Sequence, residues 1–360
     1  MNLAQLTYDL VSIPSVTKQE AKICDYVEKW VRTTLPGVAC SRHGNSLIVY
    51  PPQTGDKPVI GLFGHLDTVP QSDTQPVEIR DGKIYGCGAS DMKGGLALMM
   101  AALERYESHA CDLVAVFYDR EEGPYEDNGL RELMDGMPPM DFALVLEPTN
   151  NVICGGCMGG MHVKVTFAGK RAHSARPWQG QNAIYRALPF LTKLRDRPRR
   201  EQTVEGLTFY EVMTATMAHT ANTGNLVPDK FEVNVNIRFC PENTDKAALA
   251  DLANLVGDSA TMEVTDVCAS GKVCITDPII QDWIDTCSLK VEPKQAWTDL
   301  ARLTSEGIHC VNFGPGNPAR AHQALEWIDE SALNEGMRLL NIFLDQVCAR
   351  YTPPRLEGQL

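Results

Sequence analysis

Histidines and carboxylates stand at the ends of apolar runs throughout this chain, and their types suit divalent-metal chemistry. His65 and Asp67 follow the run 59–64. Asp91 closes Gly86-Cys87-Gly88-Ala89-Ser90-Asp91, just before an Ala-, Leu- and Met-rich stretch from Gly94. Glu121 and Glu122 follow the run 113–118 by way of Asp119 and Arg120, and Glu147 ends the run 142–146. His322 comes after the turn Gly314-Pro315-Gly316-Asn317-Pro318. One such group is usually a polar cap or a solvated loop residue. The whole set at one sheet edge is a different matter. Two ions about 3.5–4 Å apart need a bridging carboxylate and terminal ligands on each side. Asp91 suits the bridge, because a short side chain at a sharp turn before a helix is held stiffly. His65 and Glu147 would complete one shell, and Glu122 and His322 the other. Imidazole and carboxylate without thiolate fit two zinc ions, with cobalt or manganese as substitutes. Asp67, on the same side of an extended segment as His65, can accept its second ring N–H. Glu121 is left as the general base.

These positions require a sheet whose carboxyl ends converge, where ligands gather in open α/β folds. The apolar runs 46–50, 59–64, 113–118 and 142–146 have strand length and little alternation. With helices at 1–14, 18–35 and 94–106, they predict a mainly parallel sheet covered on both faces. In 18–35, Ile23, Val27, Trp30 and Val31 recur at helical spacing. Near residue 160 the pattern changes. Met161, Val163, Val165 and Phe167, and later Phe231, Val233, Val235, Ile237 and Phe239, alternate with polar residues, as half-exposed antiparallel strands do. Helices at 182–194 and 245–255 complete an α+β segment. Apolar runs at 279–288 and before Gly314, with a helix at 331–351, resume the first pattern. The expected architecture is thus an α/β domain, 1–160 and 271–360, interrupted by an inserted α+β domain, 161–270.

A formal net charge of −13 argues against nucleic acid or an anionic membrane as a partner. The chain shows no basic-then-apolar leader and no apolar stretch of about 18 residues, so a cytoplasmic location is expected. Its 12 Cys are scattered and read as reduced thiols. Cys154 and Cys157 have CxxC spacing, but the glycines at 155, 156, 159 and 160 favour a tight turn over a redox or zinc motif.

The stretches Gly64-His65-Leu66-Asp67-Thr68-Val69-Pro70, Gly88-Ala89-Ser90-Asp91-Met92-Lys93-Gly94-Gly95, Glu121-Glu122-Gly123, Leu146-Glu147-Pro148 and Ala321-His322 resemble the zinc aminoacylase and carboxypeptidase superfamily. The resemblance spans essentially the whole chain. It implies a dinuclear-zinc peptidase-like catalytic domain, the five ligands His65, Asp91, Glu122, Glu147 and His322, and Glu121 as base. It also implies an inserted domain that acts as a lid and as the contact of a homodimer. In the segment 170–178, the resemblance makes His173 the residue that reaches a neighbouring active site to stabilise an oxyanion. Asn225 and Arg238 match substrate-contacting positions, and Arg176 and Arg320 are candidates for carboxylate recognition.

Ala296-Trp297-Thr298-Asp299, Asn312-Phe313-Gly314-Pro315-Gly316 and Gly155-Gly156-Cys157-Met158-Gly159 resemble the succinyl-diaminopimelate desuccinylase branch, which adds Gly314 to the substrate site. Cys87 departs from it, since relatives commonly carry Arg there. The implied substrate is a small anionic N-acyl amino acid, N-succinyl-LL-2,6-diaminopimelate first. Acetylornithine deacetylases share the metal motifs, and a dipeptidase or glutamate-releasing carboxypeptidase is more distant. A catalytically silent metabolite-binding relative is the reading from another class. Glu121, which such drift would be expected to erase first, speaks against it.

Overall fold

The computed structural model describes residues 1–70 and 76–351. The chain forms two compact units: Met1–Gly156, Val273–Glu292 and Thr298–Leu360 make the first, and Cys157–Lys272 with Pro293–Trp297 the second.

The first unit opens with α1 (Leu3–Val11), whose first turn is capped by the Asn2 side chain accepting the Gln5 N–H at 3.1 Å. α2 (Ala21–Thr34) buries Ile23, Cys24, Val27 and Val31, while Trp30 stays partly exposed. A hairpin of β1 (Ala39–His43) and β2 (Ser46–Tyr50) precedes β3 (Val59–His65). Two short strands, β4 (Glu78–Arg80) and β5 (Lys83–Tyr85), lead to α3 (Gly94–Glu104). α3 is buried along nearly its whole length, as its all-round apolar sequence requires. Next come β6 (Asp112–Tyr118), the short α4 (Gly129–Leu133), β7 (Phe142–Val145) and β8 (Ile153–Cys157).

In the second unit, β9 (Gly159–Ala168) is followed by β10 (Ala172–His173), α5 (Ala183–Asp196), β11 (Arg200–Val204), β12 (Leu207–His219), β13 (Leu226–Val227), β14 (Lys230–Phe239), α6 (Asp245–Val256) and β15 (Thr261–Cys268). The main sheet has the order β11-β12-β14-β9-β15 and is antiparallel throughout. Val163, Val165 and Phe167 share one apolar core with Val233, Val235, Phe190, Leu194 and Leu252. That burial accounts for the period-two alternation of both central strands. The expected tight turn at 155–160 is corrected here: Gly155 and Gly156 lie in β8, and Gly159 and Gly160 pair with Phe239 and Arg238 of β14. A Cβ at Gly159 would stand 2.2 Å from the Phe239 ring and one at Gly160 3.0 Å from the Arg238 guanidinium, so this second pair serves close packing of extended chain, while Gly156 takes a positive φ of 63°.

After Lys272 the chain forms α7 (Pro278–Cys287), β16 (Val291–Lys294, whose last two residues count with the second unit), α8 (Leu300–Ser305), β17 (Cys310–Asn312), β18 (Trp327–Asp329) and α9 (Glu330–Ile342). The large sheet has the order β1-β2-β6-β3-β7-β17-β8-β16. Its centre, β6-β3-β7-β17, is parallel, and β2 of the β1–β2 hairpin pairs antiparallel with β6. β3, β6 and β7 are buried on both faces apart from Val59. Strand register aligns the chemistry. His65 lies opposite Tyr118 and Phe63 opposite Val145, so β3, β6 and β7 end together and His65, Glu121 and Glu147 leave the sheet at one edge. No helix among the described residues is long and apolar enough to cross a membrane. None of the twelve cysteines, all among the described residues, is in a disulfide, and most are buried.

Candidate metal centre

The ring of His65 is buried, and its Nδ1 lies 3.0 Å from the main-chain carbonyl of Asp67. A proton on Nδ1 donated to that carbonyl leaves Nε2 as the lone-pair atom. Nε2 faces Asp91 Oδ1 at 3.2 Å and Glu147 Oε1 at 3.8 Å. The Asp67 carboxylate, the expected partner of the ring N–H, lies farther off, at 3.5 Å. That carboxylate has another occupation. It accepts the N–H groups of Glu121 at 2.9 Å and Glu122 at 3.0 Å, and the Thr17 hydroxyl at 2.9 Å. Burial alone would raise Asp67, but His65 and these backbone donors hold it below the usual carboxylate range.

Asp91 turns its two oxygens to different histidines. Oδ1 faces His65, and Oδ2 lies 3.5 Å from His322 Nε2, which is itself 2.7 Å from Glu122 Oε1. Ligand atoms of His65, Asp91 and Glu122 all lie within 4.8 Å of one another. Hydrogen bonds to Asp91 and Glu122 push the His322 imidazole up to about 10. Burial opposes a charge on His65, yet its carboxylate neighbours raise it well above the usual imidazole value. Glu121 is raised well above the usual carboxylate range, by burial first, then by Glu147, Glu122 and Asp299, with His65 opposing. Crowded anions that bind protons this tightly also suit a cation. The donor set therefore fits a divalent metal.

Further buried groups hold the loops that carry these ligands. Glu326, buried beside β18, accepts the N–H groups of Gly88 and Ser90, each at 2.8 Å, and of Asp91 at 2.9 Å. Burial pushes it up to about 7. Lys93 is buried and donates to the Ile13 carbonyl at 2.8 Å. Gly95 and Gly314 admit close backbone approach: a Cβ on the first would stand 2.2 Å from the Leu146 oxygen, and on the second 2.4 Å from the Glu147 oxygen. The Gly314 N–H donates to Thr149 Oγ1 at 3.0 Å, and its carbonyl accepts the Asn151 N–H at 2.9 Å. Its evident work is to seat the chain against Glu147. Cys87 is buried, its thiol 3.6 Å from the Val69 carbonyl, and burial raises its pKa.

Arg320 is exposed, its guanidinium stacked 4.7 Å over the Trp327 ring. In the second unit, His173 sits on the β10–β13 ribbon opposite Leu226, exposed, with Nδ1 accepting the Ala175 N–H at 3.0 Å. The Asn225 carbonyl accepts the Ser174 N–H, and the Arg176 N–H donates to the His173 carbonyl. Arg238, near the end of β14, packs its guanidinium over Gly160. The structure thus gathers His65, Asp91, Glu122, Glu147 and His322 at one sheet edge. His173, Arg176 and Asn225 cluster at a ribbon of the second unit.

Residues 61–346 match peptidase family M20/M25/M40. A putative succinyl-diaminopimelate desuccinylase, DapE, of Mycobacterium tuberculosis is 34% identical over 345 residues, covering 94% of this chain and 97% of its own. The succinyl-diaminopimelate desuccinylase of Corynebacterium glutamicum is 33% identical over 353 residues, 95% of each chain. Among solved structures, a Staphylococcus aureus tripeptidase superposes with a TM-score of 0.80 at 22% identity, covering 97% of this chain and 98% of its own. The Sulfolobus solfataricus M20 family metallo-carboxypeptidase Sso-CP2 also gives 0.80, at 15% identity and with 97% and 99% coverage. With its sheet, its ligand-rich edge and this kinship, the chain belongs to the M20/M25/M40 peptidase family and is a metal-dependent amide hydrolase.

Proposed function

We propose that this hydrolase removes the succinyl group of N-succinyl-LL-2,6-diaminopimelate, releasing succinate and LL-2,6-diaminopimelate, with two zinc ions in each subunit. The orientation of Asp91 carries the dinuclear reading. Its two oxygens face two imidazoles, Glu147 stands on the His65 side and Glu122 on the His322 side. One bridging carboxylate with two ligands on each flank is what a pair of ions requires. The choice of acyl group rests on the desuccinylases that match nearly the full chain.

Bound ions would polarise the acyl carbonyl and make water acidic enough to attack near neutral pH. The chain's own residues supply the rest. Glu121 takes a proton from the attacking water and delivers it to the departing amine nitrogen. Burial and acidic neighbours raise its affinity for a proton, as a base working near neutrality needs. Asp67 sets the Glu121–Glu122 backbone through its two N–H contacts. His173 donates to the oxyanion of a neighbouring active site, which makes the enzyme a homodimer through the second unit. The second unit (Cys157–Lys272 with Pro293–Trp297), expected at 161–270, is the lid and dimerisation domain, and the first, expected at 1–160 and 271–360, the catalytic one. Arg176, Asn225, Arg238, Gly314 and Arg320 complete the site for a small anionic substrate, and the enzyme works in the cytoplasm.

Rates on N-succinyl-LL-2,6-diaminopimelate and N-acetylornithine, measured on zinc-loaded protein, test the choice. A higher kcat/KM on the succinyl compound is expected. A preference for acetylornithine would move the chain to the deacetylases, and hydrolysis of neither would point to the dipeptidase or glutamate-releasing carboxypeptidase reading.

A further inference from the structure

Behind the site lies a buried charged network that the proposed hydrolysis leaves without a task. Asp299, fully buried just before α8, receives both carboxylate contacts of Asn128 Nδ2, at 3.1 and 3.0 Å, and Arg302 Nε at 2.9 Å. The Arg302 guanidinium lies 3.7 Å over the Tyr125 ring and also donates to the Tyr125 carbonyl. Tyr118, fully buried, meets the His65 ring edge-on at 6.4 Å. Its hydroxyl lies against Asp299 without a partner in strict hydrogen-bond geometry. Tyr118, Tyr125 and Asn128 belong to one stretch of chain, and Glu121 and Glu122 lie between them.

That arrangement divides the labour of holding the loop. Asp67 grips its middle through the Glu121 and Glu122 N–H groups. Asp299 lies against both of its ends. A buried ion pair is weak evidence for stability, because apolar residues of similar volume often do as well. What it can add is one defined geometry, and Glu121 is the group that needs it.

We propose that Asp299 is a positioning residue of the hydrolysis: acting through Tyr118 on one side, and through Asn128 and the Arg302–Tyr125 stack on the other, it sets where the Glu121 carboxylate stands. This rests on Glu121 being the base.

The test is steady-state kinetics on zinc-loaded Asp299→Asn, Tyr118→Phe and Asn128→Ser, with kcat expressed per bound zinc. Misplacement of a reacting group by about 1 Å can cost about 100-fold, so Asp299→Asn is expected to lower kcat by roughly 10- to 100-fold. KM and zinc stoichiometry should hold within about twofold, because coupling to binding is not invoked. Tyr118→Phe should cost less, and combined with Asp299→Asn it should add nothing, as expected of one chain of contacts. A kcat per zinc equal to the parent's in Asp299→Asn would overturn the proposal, as would losses that multiply in the double variant. If Asp299→Asn does not fold, Asn128→Ser decides, since serine keeps the α4 cap to the Leu130 N–H and removes the amide contacts. An unchanged kcat there overturns the proposal too. Glu121→Gln serves as control: full activity in that variant would remove the base reading itself, whatever Asp299 does.

Discussion

His65 is 1% exposed, and the loops bearing Asp91, Glu121 and Glu122 are each gripped by a second buried carboxylate. His173, in the second unit, stands in the open on a ribbon of two short strands, held by main-chain contacts and one Nδ1 hydrogen bond. Metal ligands must be fixed before the ion arrives, since a loose shell loses affinity through ordering entropy. A donor to a developing oxyanion has to act only when charge appears, so it can be carried on a less constrained element. On this comparison, changes in the first unit should alter metal binding or the chemical step with little tolerance. Changes in the second should alter rate without touching the metal.

The largest effect is expected from Glu121→Gln. Loss of a general base costs about 10²- to 10⁴-fold, so kcat should fall by that order while zinc content is retained. Loss of zinc in this variant would instead make Glu121 a ligand and redraw the first unit's side of the comparison. Next is His173→Ala, for which a drop of about 10²- to 10³-fold in kcat is expected, as when one oxyanion donor is removed. Zinc stoichiometry should be unchanged. A near-parental rate would reduce His173 to a surface loop residue, and the second unit would lose its proposed catalytic group.

Smaller again is Glu326→Gln. The amide keeps the shape, but its NH₂ is a donor set among N–H groups that need an acceptor. Partners of metal ligands typically contribute about 10- to 100-fold in affinity, so zinc should dissociate faster by about that factor, read by competition with a chelator. Parental zinc affinity would show that the Gly88–Asp91 loop needs no such brace.

How each feature acts determines whether a sequence can reveal it. β2, β3, β6 and β7 are legible because they are buried on both faces, so their sequences are continuous apolar runs of strand length. β9 and β14 are legible through period-two alternation. β12 is not. Its second half is exposed and carries a register shift between Ala215 and Met217, which erases alternation. Gly159 suggests a turn because glycine marks turns and close packing alike, and only the Phe239 ring opposite tells which applies. In the candidate site, every ligand-type side chain that meets at the sheet edge is recognisable at a strand or loop end. Glu326 is not, because its partners are backbone N–H groups more than two hundred residues away, and main-chain donors leave no mark on a sequence. Asp67 shows the same blind spot from the other side: its position beside His65 is evident, but its grip on Glu121 and Glu122 is not.

The smallest expected effect concerns protons at the ligand cluster. In the metal-free protein His322 is raised to about 10 by Asp91 and Glu122, against an ordinary imidazole near about 6.5. A group raised on folding adds stability that is fully present below its unfolded value and disappears as pH climbs through the folded one. The metal-free fold should therefore lose this contribution between about pH 6.5 and 10. The loss should be small, because His322 is half exposed and solvent screens its ion pairs. Metal binding needs the neutral ring, so zinc must displace that proton and bind more weakly as pH falls. Two measurements check it: proton release on adding zinc to weakly buffered protein at about pH 7, and the fall in Tm of metal-free protein from about pH 7 to 10 compared with His322→Asn. The variant, having no proton to lose at that position, should show the shallower fall. Equal slopes, with no proton released, would mean that the His322 side of the cluster is not charged in the metal-free fold. The comparison would then narrow to His65, whose burial would alone distinguish the first unit from the second.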